Sequence, residues 1–423
     1  MKILDTLKKS PFFGRFPFNL ELLRYLGPGF LVTVGFIDPG NWATNIAGGS
    51  EFNYSLLWVI TLSTLMLIFL QHMSAHLGIV TGSCLPVSCR MWFPKWANYL
   101  FGGSIVIACV ATALAEFLGA AIGITILLGI PLSVSVLIAS VAILTLVTVQ
   151  KYDSIEHLII AFVSIIGFCY LLELFLVKPD WGAALEAAVV PRLDSSAIFI
   201  AMGMLGAVVM PHNIYLHSEV IQRRNWSAAT NERKRQLLRY EFLDTLLAMG
   251  AGWVINSAMV IVAAAVFFRH GVLVSDVAQA SETLRPLAGE LANLLFGVAL
   301  LCAGVSSSIT ACLAGGTVFT GFLGKEIDPQ KTWFRLGVLL TAVPAILLIF
   351  VISDSYKALI WSQVVLSIQL PLTIVPLIIL TRSRKVMGEY ANGRFENLFM
   401  YICGGIVITL NILLLLSFFG VKF

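Results

Sequence analysis

Long apolar runs recur along the whole chain and alternate with short polar segments. A run of about 20 apolar residues forms a helix long enough to cross a hydrocarbon core of roughly 30 Å. Eleven such runs predict eleven spans, at residues 24–48, 53–79, 97–125, 128–149, 155–176, 196–218, 240–268, 287–322, 334–352, 357–380 and 397–419. No long polar insertion separates the runs, so we expect one transmembrane domain over residues 1–423.

Composition supports a membrane protein. Hydrophobic residues make up 58% of the 423 positions and charged residues only 12%, whereas soluble proteins carry about 25% charged residues. Of the 27 Lys and Arg residues, 21 fall in segments that share one side of the membrane if the chain crosses it eleven times. Since basic residues are retained in the cytoplasm, we expect a multi-pass cell-membrane protein with a cytoplasmic N-terminus and an external C-terminus.

The first predicted span carries an interruption and a charge at the same place, Asp38-Pro39-Gly40-Asn41. Proline removes a backbone donor and glycine weakens a helix further. In hydrocarbon, freed carbonyl groups are tolerated only where protein or a ligand satisfies them. An ionisable side chain at the same depth is also costly and is by default a functional-site hypothesis. We therefore interpret this break as part of a binding site.

The sixth span repeats the interruption as Met210-Pro211-His212-Asn213, with Pro and Asn in the same places. Each break lies in the first helix of a five-helix half, residues 24–176 and 196–380, followed by an eleventh helix at 397–419. Because five is odd, the second half runs inverted relative to the first. Broken helices at corresponding positions of inverted repeats indicate a transporter's binding site at the middle of the membrane.

The residue types at the two breaks favour a divalent transition-metal ion. Asp38 offers an anionic oxygen and Asn41 an amide oxygen, and the carbonyl of Ala207 should lose its helical donor to the proline break. Met210 adds a soft thioether sulfur. Oxygen-only sites suit magnesium and calcium, whereas added sulfur favours ions such as manganese and iron(II). Two non-functional interpretations remain. The first break is a simple proline kink with Asp38 paired to another side chain, and Met210 only packs.

The segments DPGN, AEFLGAAIG, GAVVMPHNIYLHS and SQVVLSIQLP resemble the Nramp family of divalent metal transporters over almost the whole chain. The resemblance implies an all-α LeuT-like fold, with two inverted five-helix repeats, an eleventh helix, and helices 1 and 6 unwound at the midplane. It implies import of manganese or iron(II) with protons by alternating access. By position, Asp38, Asn41, Ala207 and Met210 match metal ligands. Gln363 matches a further ligand of the tenth helix.

The resemblance also implies a proton route through His212 and His217 of the sixth helix, but the third helix departs from the family pattern. Where the family usually has an aspartate, this chain has Ala113, which cannot take a proton. Glu116 remains, and Asp38 itself is a possible acceptor. The ninth helix begins with Arg335 alone, where many members have two arginines.

Other readings remain open at this stage. A LeuT-like symporter for an organic solute would hold a carboxylate with helix N-termini and small residues, whereas this break presents a carboxylate of its own. A relative specialised for magnesium is disfavoured by Met210. No HExxH, GxSxG or paired-aspartate motif lies in the spans, so we expect that the protein is not an enzyme. We also expect no cofactor, no nucleic-acid partner and no obligate protein partner; His72 is interpreted as structural.

Overall fold

The computed structural model of the chain describes residues 27–149, 152–274, 277 and 290–418. Within these ranges the regular secondary structure is entirely helical. Nine helices of the described chain are long and apolar enough to cross a membrane, and the apolar regions Pro28–Ile37 and Leu132–Thr148 are shorter. The predicted all-α fold class is confirmed, and nine of the eleven predicted spans correspond to helices long and apolar enough to cross a membrane.

Two spans are broken into shorter helices. The first consists of α1 (Pro28–Thr33), a 3-10 turn (Val34–Ile37) and α2 (Pro39–Phe52). The remaining helices are α3 (Leu57–Thr81), α4 (Leu85–Trp92), α5 (Lys95–Leu128), α6 (Leu132–Val149), α7 (Tyr152–Val177), α8 (Trp181–Val189), α9 (Ile198–Val208), α10 (Pro211–Val220), α11 (Asn231–Val266), α12 (Glu290–Leu323), α13 (Thr332–Val351), α14 (Ser355–Arg382), α15 (Arg384–Met387) and α16 (Arg394–Phe418). The sixth span is α9 followed by α10.

The predicted boundaries differ from the observed ones mainly at the seventh span. The helix α11 begins at Asn231 rather than at residue 240, because Thr230 caps its N-terminus by accepting from the amide of Arg233 at 3.5 Å. The short helices α4 and α8 lie in segments predicted as loops, and neither is long enough to give a spanning signal. The predicted span limits at residues 24, 287 and 419 lie outside the described residues.

Burial places the sixth span at the centre of the molecule. Its most apolar stretch is 94% buried, whereas the corresponding stretches of α7 and α16 are only 28% buried. The outer faces of α6, α7, α13 and α16 present large exposed apolar side chains, including Val141, Phe175, Leu347 and Ile412. A lipid-facing surface requires this arrangement, because hydrocarbon offers no partners to polar groups.

Close helix packing surrounds the two broken spans. The third helices of the two halves, α5 and α12, approach closely: a Cβ on Gly304 would lie 2.3 Å from the amide nitrogen of Ala120. A Cβ on Gly119 of α5 would lie 2.0 Å from the ring of Pro39, at the first break. Small residues permit such approaches in membrane proteins. They bring α5 directly against the interrupted segment.

Candidate metal-binding site

The first break begins where the chain leaves helical geometry. Phe36 has φ −96° and ψ 16°, and Asp38 is extended at φ −75° and ψ 163°. The carbonyl of Phe36 accepts hydrogen bonds from the side-chain amides of Asn41 at 2.8 Å and Asn256 at 2.9 Å. The carbonyl of Ile37 accepts from the indole of Trp42 at 3.2 Å. Side chains therefore satisfy carbonyls that the broken helix releases.

The carboxylate of Asp38 is held in a fixed orientation at the N-terminus of α2. Its oxygens accept from the backbone amides of Gly40 and Asn41, both at 3.0 Å. The side-chain amide of Asn41 donates to Oδ1 at 2.7 Å, and that of Gln363 lies 3.4 Å from Oδ2. Asp38 is fully buried. An N-cap of this kind satisfies free amides of the first helical turn.

The second break lies between α9 and α10. Val209 has φ −94° and ψ 71°, and Met210 has φ −74° and ψ 117°. The helical donor for the Ala207 carbonyl would be the amide of residue 211, but that residue is proline and has no N–H. The carbonyl instead accepts from the Asn41 side-chain amide at 2.8 Å. One asparagine thus connects the two breaks.

Met210 and Gln363 complete the set of predicted ligands. Met210 occupies the N-cap position of α10 and is fully buried, and its sulfur lies 3.6 Å from the side-chain amide nitrogen of Asn213. Gln363 of α14 packs on Gly40 so tightly that a Cβ there would lie 1.7 Å from its Nε2. Asp38, Asn41, Ala207, Met210 and Gln363 are each 0% exposed.

Two buried oxygens at this point lack a protein partner. Among the described residues, neither Oδ1 of Asn41 nor Oε1 of Gln363 accepts a hydrogen bond. Both belong to side chains in contact with Asp38. Buried polar atoms in native structures are usually satisfied, so unpaired oxygens beside a carboxylate are consistent with a place that receives a cation.

Glu116 lies beside this point, on α5. Its carboxyl accepts from the hydroxyl of Thr112 at 3.2 Å and from that of Ser307. It also interacts electrostatically with Asp38. The structure therefore brings two carboxyl groups together, and Ser307 from α12 is a contact that sequence reasoning did not identify.

The two histidines predicted for the proton route have different surroundings. His212, immediately after Pro211, is fully buried, and neither ring nitrogen has a partner within the described part of the chain. His217 lies near the end of α10, where its Nδ1 is 3.1 Å from Oε1 of Gln71. Only His212 lies next to a break.

Sequence reasoning left Asn256 out of the site, yet it supports the first break. Its Nδ2 donates to the Phe36 carbonyl at 2.9 Å, and its Oδ1 accepts from the side-chain amide of Asn45 at 2.7 Å. The only sequence signal was an asparagine within an apolar span. Asp244, also left out, caps α1 by accepting from the amides of Gly27 at 3.1 Å and Gly29 at 2.6 Å.

Over residues 27–149, 152–274, 277 and 290–418, no group of three or more His, Cys, Asp or Glu side chains could hold a metal ion. The predicted ligand set instead combines one carboxylate with neutral groups. Direct contacts bring together the Asp38 carboxylate, the Asn41 and Gln363 side chains and the Ala207 carbonyl.

Comparison with known proteins gives consistent matches. The profile of the natural resistance-associated macrophage protein-like (Nramp) family matches residues 29–417. The divalent metal cation transporter MntH of Caldanaerobacter subterraneus subsp. tengcongensis is 42% identical over 398 residues, covering 93% of each chain.

Solved structures give the same result. The Eremococcus coleocola manganese transporter, in complex with an aromatic bis-isothiourea substituted compound, superposes with a TM-score of 0.78 at 29% identity. The match covers 92% of this chain and 85% of that one. Mhp1, a nucleobase-cation-symport-1 transporter, superposes at 0.61 with 16% identity over 90% of each chain, which shows the shared fold alone.

Proposed function

Since the chain belongs to the Nramp family, we propose that it imports manganese or iron(II) across the cell membrane by alternating access, together with protons. The observation that carries the proposal is the convergence of Asp38, Asn41, Ala207 and Gln363 at two helix breaks. Supporting it, the curated relative at 42% identity is named a divalent metal cation transporter.

The proposed ligands are Asp38, Asn41, the Ala207 carbonyl, Met210 and, in some conformations, Gln363. Here the Asn41 amide nitrogen lies 2.7 Å from Asp38 Oδ1 and 2.8 Å from the Ala207 oxygen. A cation that replaces this N–H group satisfies the same two acceptors. Turning the amide about its last side-chain bond then presents Oδ1 of Asn41 to the ion.

The thioether of Met210 gives the site its preference among divalent ions. Magnesium and calcium bind oxygen ligands almost exclusively, and a sulfur ligand favours softer first-row transition ions. We expect Met210→Ala to retain uptake while losing part of the discrimination against calcium and magnesium. Competition of each ion against manganese uptake measures this, and unchanged selectivity would remove the sulfur from the ligand set.

Alternating access requires movement at the breaks, because the proposed ligands are fully buried in this conformation. The non-helical residues Phe36, Asp38, Val209 and Met210 provide positions where backbone angles can change without breaking a continuous helix. Hinges of this kind absorb large backbone changes at a few residues at element ends. The ion is thereby exposed first to the outside and then to the cytoplasm.

Proton coupling is supported by the carboxyl pair and by the membrane potential. Asp38 and Glu116 interact within the protein interior, where neighbouring carboxylates need a proton or another cation between them. An arriving metal ion therefore competes with a proton for the same place. Each charge moving inward gains about 2.3 kcal/mol per 100 mV.

Purified protein in proteoliposomes tests the proposal. Manganese, iron(II), magnesium and calcium are supplied outside in turn while internal metal and internal pH are recorded. We expect uptake of manganese and iron(II) accompanied by internal acidification. Uptake without acidification would remove the proton component alone, and the absence of uptake for every metal would refute the proposed function.

A further inference from the structure

A second polar cluster lies where α3, α10 and α11 meet. Glu241 of α11 contacts His72 Nδ1 through Oε2, and its Oε1 lies 3.9 Å from His217 Nε2. The same Oε1 accepts from the hydroxyl of Thr245 at 2.7 Å. The other ring nitrogen of His217 is 3.1 Å from Gln71 Oε1. A carboxylate thus sits between two imidazole rings from different helices.

The cluster is buried, and within the described part of the chain Glu241 forms no ion pair with Lys or Arg. His72 is 4% exposed, His217 0% and Glu241 1%. Among the described residues, the ion-pair partners of Glu241 are these two histidines. A buried carboxylate needs a compensating charge, and among the described residues a protonated imidazole supplies it. The cluster is therefore neutral when it holds one proton.

Other titratable groups surround the cluster at a greater distance. The ring of His76, one turn along α3, stacks on that of His72 with centroids 5.9 Å apart. Glu396 of α16 interacts electrostatically with His72. On α10, Glu219 pairs with Arg223 at 3.2 Å. The remaining carboxyl group nearby on α11, that of Asp244, accepts from the backbone of α1.

The cluster shares one short helix with the candidate metal site. The helix α10 begins at Pro211, directly after Met210, and carries His217 on the same ten-residue segment. At 1.5 Å per residue, Met210 and His217 are about 10 Å apart along the axis. A displacement at one end of so short a helix is transmitted to the other end.

We propose that His72, His217 and Glu241 form a second, proton-binding site whose occupancy is coupled to the metal site through α10. An arriving proton forms an N–H bond on an imidazole and is balanced by the Glu241 carboxylate. When it leaves, the imidazole returns to its neutral form and the contact across Glu241 weakens. The inference rests on the proposed transport function and names residues that carry its proton.

The test uses a neutral pair of similar shape, His72→Gln combined with Glu241→Gln. The two amides can hydrogen-bond to each other but exchange no proton with water at neutral pH. His76→Gln is the matched control, because it removes a neighbouring buried imidazole without touching Glu241. Manganese binding is measured in detergent by calorimetry, and manganese uptake and internal pH are measured together in proteoliposomes.

We expect the neutral pair to bind manganese as the unmodified protein does and to lose the acidification that accompanies uptake. His76→Gln should retain both. Retained acidification in the neutral pair overturns the proposal, and so does loss of manganese binding, which would make the cluster structural. Failure of the proposed function can be distinguished from failure of this proposal, because in that case the unmodified protein would take up no metal.

Discussion

Asp38 combines a structural role with the negative charge of the site. Its carboxylate caps α2 through the amides of Gly40 and Asn41, so the charge is held by the helix that it starts. Helix N-termini favour negative charge, which stabilises the ionised form when a metal ion is present. In the proposed site the ligands around it are neutral, so that we expect the ion to be released as well as bound.

Gly40 is required by the close approach of Gln363. A Cβ at position 40 would lie 1.7 Å from Gln363 Nε2 and 2.8 Å from Asp38 Oδ2. We expect Gly40→Ala to displace both side chains and weaken manganese binding about tenfold, the effect of roughly 1.4 kcal/mol of overpacking. Calorimetric titration measures the affinity.

The control for this substitution is Gly103→Ala on α5, where no atom lies within 4 Å of the added Cβ. It should leave the affinity unchanged. Equal affinities in both variants would show that Gln363 and Asp38 are not held against Gly40 in the binding state.

At the scale of helices, the breaks are maintained by side chains from intact neighbours. Asn256 of α11 donates to the Phe36 carbonyl at 2.9 Å and accepts from Asn45 at 2.7 Å. These contacts connect the interrupted first span to α11, which is a continuous helix. They support the shape of the first break in this conformation.

Removing this support should weaken metal binding without touching a ligand. Single polar contacts between membrane helices contribute about 0.6 kcal/mol and at most about 2. We expect Asn256→Ala to lower manganese affinity by about fivefold, equivalent to 1 kcal/mol. The control is Asn411→Ala on α16, which loses contacts to the carbonyls of Ser367 on α14 and Val407 on α16. A similar loss in both variants would indicate general destabilisation.

Sequence reasoning predicted the spans and the breaks because both depend on local residue types. Apolar runs mark the spans, and Pro39 and Pro211 mark the breaks directly. It could not predict the Glu241–His72 contact, since one sequence does not show which helices pack together. Taking the seventh span to begin at residue 240 placed Glu241 at a helix end, whereas the structure places it inside α11.

At the scale of the whole molecule, the predicted orientation can be tested by labelling. The seven cysteines are all buried. In the segment between α3 and α4, burial raises the pKa of the Cys84 thiol to about 12, so little reactive thiolate forms at neutral pH. We therefore expect little labelling of the native cysteines, so that labelling of a new surface cysteine can be measured.

We expect an impermeant maleimide to label Glu186→Cys on α8 in intact cells and to label Lys385→Cys on α15 only after permeabilisation. Both positions are exposed, and the distribution of Lys and Arg places α8 outside and α15 in the cytoplasm. The opposite pattern would reverse the predicted orientation.

We propose that the paired breaks bind the transported ion through the charge of Asp38. Asp38→Asn keeps a good helix N-cap and removes only the charge. Its matched control is Asp354→Asn, at the exposed N-cap that begins α14. The measurement is manganese uptake by proteoliposomes containing each variant. We predict that Asp354→Asn transports like the unmodified protein and that Asp38→Asn falls to the level of protein-free vesicles; uptake by Asp38→Asn at the unmodified rate would contradict the account.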